Sequence, residues 1–170
     1  MEVGNLYIIG LMGSGKTSIG KILSKMLNRR FFDIDEEIIE DTRLSIAQLF
    51  DDHGEKYFRQ IESNMLETKS KLNNCVISTG GGVILEQRNI NIMKNTGKII
   101  HLDISVRNQL FRVKNKKNRP LLNVDDVKSK LIEMKKLRDE IYTDISDYSI
   151  STDNRNKKSK PFCWRISKRF

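Results

Sequence analysis

The sequence predicts an α/β protein built around a parallel sheet. Short apolar runs alternate with longer helical patterns along the 170 residues, the arrangement of βαβ units. The first apolar run, Leu6 to Ile9, opens onto a glycine-rich turn and then an amphipathic segment. The third run, Cys75 to Ser78, stops at three consecutive glycines.

Leu6 to Ile9 reads as a buried strand. After the turn Gly10 to Thr17, residues Ile19, Ile22, Leu23, Met26 and Leu27 fall on one helical face. Phe31 to Ile34 is a short second strand. Ser45 to Phe50 reads as a short helix capped by Ser45. Phe58, Ile61 and Met65 mark a helix from about Gly54 to Leu72. Cys75 to Ser78 is the third strand. A helix from about Glu86 to Asn95 leads to a fourth strand, Lys98 to Leu102. Val106 to Val113 is helical and runs into the polar stretch Lys114 to Asn118. A last long helix covers about Asp125 to Tyr142, and Tyr148 to Ser151 is a fifth strand. No internal repeat or interdomain linker interrupts the pattern, so residues 1–170 read as one domain.

Composition narrows the classes. Hydrophobic residues make up 38% and charged residues 31%, a globular profile. No apolar run approaches the 18 or so residues that span a bilayer, and residues 1–20 do not show the basic-then-apolar pattern with a small-residue cleavage site, so a secretory signal is not expected. Cys75 and Cys163 lie outside any C-x-x-C spacing, which argues against a disulfide framework or a cysteine metal site. The expected address is the cytoplasm, with no membrane partner. The net charge of +9 raises nucleic acid as a partner. Its distribution speaks against that. Residues 155–170 carry seven Lys and Arg and no acid, whereas residues 1–154 hold 24 Lys and Arg against 22 Asp and Glu. A second basic cluster from Arg112 to Arg119 reads either as a solvated loop or as a phosphate-facing flap.

Gly10-Leu-Met-Gly-Ser-Gly-Lys16-Thr17 matches G-x-x-x-x-G-K-[ST] between a strand and a helix, the setting of a phosphate-binding loop. Glycines let successive amides wrap a phosphate chain, and the following helix aims its N-terminal dipole at it. Lys16 then reaches the outer phosphates, and the Thr17 hydroxyl can ligate Mg²⁺. The motif points to a nucleoside triphosphate and leaves the acceptor open.

Strand ends of such a sheet gather ligands. Asp33 and Asp35 are two apart on what reads as an extended segment, so they would point the same way. Either they form a carboxylate pair for a metal and a hydroxyl, or Asp35 caps the helix begun by Glu36 and Glu37. Gly80-Gly81-Gly82 is either a flexible loop or a place where something approaches the backbone closely. Arg59 and Glu62 are helical neighbours; they are a surface ion pair, or Glu62 orients Arg59 toward an anion. Arg138 continues the apolar phase of Val127, Leu131, Met134 and Ile141. A guanidinium on that inward face needs a local carboxylate or an anionic ligand. Arg59 and Arg138 together suit a carboxylate, and the implied acceptor is a small hydroxy acid.

In this order and spacing the sequence resembles the shikimate kinase family. The likeness rests on Gly10 to Thr17, Asp33-Ile-Asp35, Gly54-Glu-Lys-Tyr-Phe58-Arg59 with Glu62, Gly80 to Gly82, Arg119-Pro-Leu-Leu122, and Arg138 with Tyr142, over about residues 4–156. The resemblance implies a three-layer P-loop NTPase fold with a five-stranded parallel sheet in the order 2-3-1-4-5. A substrate-binding segment would span about 33–62 and a lid about 113–123. It implies transfer of the γ-phosphate of ATP to the 3-hydroxyl of shikimate, in chorismate and aromatic amino-acid biosynthesis. Asp35, Lys16 and Arg119 would be catalytic. Asp35, Arg59, Gly81, Gly82 and Arg138 would bind substrate, with Glu62 holding Arg59. Gly13, Ser14, Gly15, Lys16, Thr17, Ser18, Arg112, Arg119 and Arg155 would bind the nucleotide, and Thr17 and Asp33 would form the Mg²⁺ neighbourhood. The expected partners are shikimate and ATP, and the expected state is a monomer.

The C-terminus departs from the family. Residues 157–170 are basic and short, although Phe162, Trp164 and Ile166 offer a packing face after Pro161. Three rival readings remain. One is a kinase for another small polyol acid, such as gluconate. Another is a nucleic-acid-binding protein that works through its basic tail. The third is a nucleotide-dependent switch without a small substrate, against which the paired arginines argue.

Overall fold

The computed structural model describes residues 4–113, 120–153, 163 and 167. Five strands form one sheet: β1 (Asn5–Ile9), β2 (Arg30–Asp33), β3 (Cys75–Ser78), β4 (Gly97–Asp103) and β5 (Tyr148–Ser151). Every neighbouring pair is parallel, in the order β2-β3-β1-β4-β5. The register sets Tyr7 of β1 beside Ile77 of β3 on one side and Ile99 of β4 on the other. Among the described residues, six α-helices connect the strands: α1 (Lys16–Leu27), α2 (Ile34–Thr42), α3 (Ile46–Ser70), α4 (Gln87–Thr96), α5 (Val106–Val113) and α6 (Val127–Ile145).

The near-continuous apolar strands follow from burial on both faces. Leu6, Ile8, Val76, Ile100 and Leu102 pack on one side against Ile19 and Leu23 of α1. Tyr7, Ile9, Cys75, Ile77 and Ile99 face the other way, toward Ile38, Leu66, Ile90 and Met134 of four helices. Cys163 lies fully buried in the first of these layers. The packing face expected at Phe162, Trp164 and Ile166 lies outside the described residues.

The segments read as separate helices from Ser45 and Gly54 are two helical stretches of α3 that meet at a kink at Gly54, whose φ of 81° and ψ of 169° are not helical. Glycine takes such a positive φ without the steric cost of a Cβ. Ser45 does cap the first stretch, in a reciprocal pair with Gln48. The second strand ends one residue earlier than its apolar pattern suggests. Asp33 stops it and caps α2, accepting from the amides of Asp35 at 3.1 Å and Glu36 at 3.4 Å. Ile34 is therefore helical, and it is buried on the inner face of α2.

Candidate active site

The phosphate loop lies where its motif requires, between β1 and α1. Gly13 and Gly15 adopt positive φ of 79° and 97°, which turns the loop around the helix terminus. Lys16 folds back over the loop, its Nζ donating to the carbonyls of Gly10 at 2.8 Å and Leu11 at 3.1 Å. Thr17 Oγ1 donates to Asp33 Oδ2 at 2.6 Å. Ser14 is buried and Ser18 exposed on α1. Arg112 of α5 donates to the Gly13 carbonyl at 3.1 Å and the Thr152 carbonyl at 2.6 Å. It thereby ties the loop to the segment after β5. Arg119 and Arg155 lie outside the described residues.

The expected alignment of Asp33 and Asp35 is corrected. On a helix, residues two apart are rotated by about 200°, not stacked on one face as in a strand. Because α2 begins at Ile34, Asp35 lies in the first turn of a helix, and the strand alternation that would align it with Asp33 does not apply. Asp33 caps the helix and faces Thr17. Asp35 faces the glycine triplet: a Cβ on Gly80 would lie 3.3 Å from Asp35 Oδ1. The cap on α2 is thus Asp33 rather than Asp35.

The glycine triplet is a close-approach site. A Cβ on Gly80 would overlap the Glu62 carboxylate, and one on Gly82 would overlap the Arg59 guanidinium. At Gly81 a Cβ would lie 3.5 Å from both the Gly10 carbonyl and the Met12 amide. The triplet therefore lies between α3 and the phosphate loop; a side chain at Gly80 or Gly82 would collide with Glu62 or Arg59, whereas Gly81 has ordinary contact distances.

Arg59 and Glu62 are not a surface pair. Both are buried, with Arg59 Nη1 donating to Glu62 Oε2 at 2.7 Å. Glu55, one turn before, accepts from Arg59 Nη2 at 2.9 Å. Sequence reading missed Glu55, although its i,i+4 spacing to Arg59 was a usable signal. Burial opposes the charge on Arg59, but the two carboxylates hold its guanidinium above the usual range. Burial pushes the Glu62 carboxyl up to about 7; the Arg59 charge pulls it back, and the Asp35 charge raises it further. Glu62 Oε1 has no hydrogen-bond partner among the described residues.

Arg138 is buried on the inner face of α6 and donates to the Gly81 carbonyl at 3.0 Å. It forms no salt bridge among the described residues, although the buried Glu62 carboxyl lies near enough to feel its charge. Tyr142, one turn on, donates to the same carbonyl. Sequence reading noted Tyr142 only as part of a motif.

Four elements thus converge at the carboxyl ends of β1, β2 and β3: the phosphate loop, the start of α2, the middle of α3, and α6. Such a site can hold a phosphate chain and, beside it, a small anion bearing a hydroxyl. The family model described as shikimate kinase matches residues 12–162. The chain belongs to the shikimate kinase family. Its ATP-dependent kinase activity follows from that membership. A shikimate kinase of Caldicellulosiruptor saccharolyticus is 44% identical over 149 residues, 88% of this chain and 86% of that protein. One from Coxiella burnetii is 38% identical over 92% of this chain and 89% of its own length. Among solved structures, the Acinetobacter baumannii shikimate kinase in complex with shikimate superposes with a TM-score of 0.92 at 34% identity. That match covers 96% of this chain and 90% of the other. A deoxyadenosine kinase from M. mycoides, at 18% identity and a TM-score of 0.62, shares the fold. No helix among the described residues is long and apolar enough to cross a membrane.

Proposed function

We propose that this chain phosphorylates the 3-hydroxyl of shikimate with Asp35 as proton acceptor and with Arg59, Arg138 and the Gly81 amide holding the substrate carboxylate. One junction supports the reading. The Gly80–Gly82 triplet faces Asp35, Glu62 and Arg59 on one side and the phosphate loop on the other, with Arg138 bonded to its middle carbonyl. A carboxylate bound there would pair with Arg138, a buried guanidinium that forms no salt bridge among the described residues. Its ring hydroxyl would lie between Asp35 and the γ-phosphate.

Phosphoryl transfer depends on alignment and charge stabilisation. Lys16 leaves its two loop carbonyls for the β- and γ-phosphates. Asp35 orients the 3-hydroxyl and takes its proton as the oxygen attacks phosphorus; the departing oxygen leaves with ADP. Arg119 meets the transferring phosphate when the 113–123 segment covers the nucleotide, and Arg112 and Arg155 line the nucleotide side. Thr17 and Asp33 present a hydroxyl and a carboxylate side by side, a hard-oxygen set that fits Mg²⁺. Bound there, Mg²⁺ would neutralise charge on the phosphates. Cytoplasmic location and a monomeric state complete the reading. The direct test is ADP release with shikimate present and absent; release that ignores shikimate, or that answers better to gluconate, would reject the assignment.

Arg138→Met is expected to raise KM for shikimate about thirtyfold, since a desolvated charged hydrogen bond is worth about 2 kcal/mol. KM for ATP should stay fixed. Steady-state kinetics decides it, and an unchanged shikimate KM in a folded variant removes Arg138 from the site.

Glu62 gives the site a pH dependence. A substrate carboxylate competes for the Arg59 charge that holds Glu62 ionised, so binding raises the Glu62 carboxyl further above about 7. A group whose pKa rises on binding takes up a proton, and affinity strengthens as pH falls from about 8 to about 6. Titration calorimetry in two buffers of different ionisation enthalpy reads the uptake directly. Glu62→Gln should abolish it. The same raised carboxyl predicts that the contribution of Glu62 to stability falls as pH rises between its ordinary 4.5 and about 7.

A further inference from the structure

Two donors from α6 meet on one acceptor. The Gly81 carbonyl accepts from Arg138 Nη1 at 3.0 Å and from Tyr142 Oη at 2.5 Å. Tyr142 is fully buried. Its burial holds the phenol well above the usual range, so it remains a neutral donor. The ring has little freedom to turn away. It stacks on His101 of β4 with centroids 4.9 Å apart and planes 13° from parallel. His101 is fixed in turn by Ser149 Oγ of β5, 3.0 Å from its Nδ1. Burial also lowers the imidazole, which keeps the stack neutral.

Three consecutive glycines have no stiffness of their own. A peptide unit is planar, however, so holding the Gly81 carbonyl also fixes the Gly82 N–H that shares its plane, and with it the path of the triplet. The sheet edge at β4 and β5, through His101 and Tyr142, therefore sets the orientation of the triplet's backbone.

We propose that Tyr142 is a positioning residue for the substrate. Its hydroxyl holds the Gly81 carbonyl, orients the triplet between Arg59 and the phosphate loop, and leaves the remaining Arg138 nitrogens available to an anion. The inference rests on the reading that Arg138 and Gly81 clamp a substrate carboxylate.

Tyr142→Phe in the full chain removes one hydroxyl and keeps the stack. Loss of one buried hydrogen bond on the clamp should raise KM for shikimate about five- to tenfold. kcat should change by less than about twofold and KM for ATP not at all, since the phosphate loop keeps its own contacts. In an Arg138→Met background the same change should add less than about twofold, because the two donors share one acceptor. A merely structural tyrosine would lower the unfolding temperature and leave the shikimate KM unchanged, and that result overturns the proposal. So does a fall in kcat alone, or an equal rise in both KM values. If Arg138→Met raises the shikimate KM while Tyr142→Phe does not, only the role of Tyr142 fails. If neither variant raises it, the carboxylate clamp fails as well. Should Tyr142→Phe give little folded enzyme, thermal protection by shikimate measured on the folded fraction reads the affinity instead.

Discussion

Asp35→Asn is expected to lower kcat by about 10²- to 10⁴-fold, the span typical of a lost general base. Nucleotide affinity should survive, because the loop amides and Lys16, rather than Asp35, are the groups proposed to hold the phosphates. The fold should survive as well. The backbone amide of Asp35, not its side chain, completes the cap on α2 by donating to Asp33 Oδ1 at 3.1 Å. Removing one negative charge from the first turn of α2 should cost only about 0.3–1 kcal/mol through the helix dipole. The change has a second readout. The Asp35 charge is one of the causes that raise the Glu62 carboxyl, so Asp35→Asn should lower it and shift the proton uptake that accompanies shikimate binding. Single-turnover kinetics with ATP titration separates these effects. Near-normal turnover would strip Asp35 of its role, whatever its position.

Lys16→Met should reduce kcat by about 10²- to 10³-fold, as when one preorganised donor to a developing charge is lost. Methionine keeps most of the stem and removes the ammonium. The two loop carbonyls that Lys16 now bonds, Gly10 at 2.8 Å and Leu11 at 3.1 Å, would turn to water, so the loop should remain folded. KM for ATP should rise with the fall in kcat, and KM for shikimate should not. Equal rates would reduce Lys16 to a strap across its own loop. The contrast with Asp35→Asn is informative: one variant damages the nucleotide side, the other the acceptor side.

These expectations draw unevenly on sequence and on structure. The phosphate loop was legible because its glycines, Lys16 and Thr17 are contiguous and their geometry is local. Strand and helix identities followed from apolar runs flanked by turn residues; β3, β5 and α5 carry the limits their patterns suggest. Arg138 was legible because it breaks an apolar helical phase. The Asp33–Asp35 relation was misread for a specific reason. Whether a strand ends before or after Ile34 depends on which side chain caps the next helix, and one residue of difference rotates Asp35 from one side to the other. Glu55 escaped notice because an exposed acid one turn from an arginine is common on any helix. The break at Gly54, by contrast, was legible, because the patterns on its two sides read as separate helices.

The sequence by itself determined the phosphate loop, the parallel α/β plan and the set of charged residues available for catalysis. These depend on neighbours in the chain, through backbone freedom, periodicity and the alternation of polar and apolar side chains. Only the tertiary structure decided which of those charges meet. Glu62, Arg59, Asp35, the Gly80–Gly82 triplet, Arg138 and Tyr142 come from four separate segments. Their convergence follows from the strand order, which sets β3 between β2 and β1 and so brings the triplet against both α2 and the phosphate loop. No local pattern encodes that distance; it arises from burying both faces of one sheet.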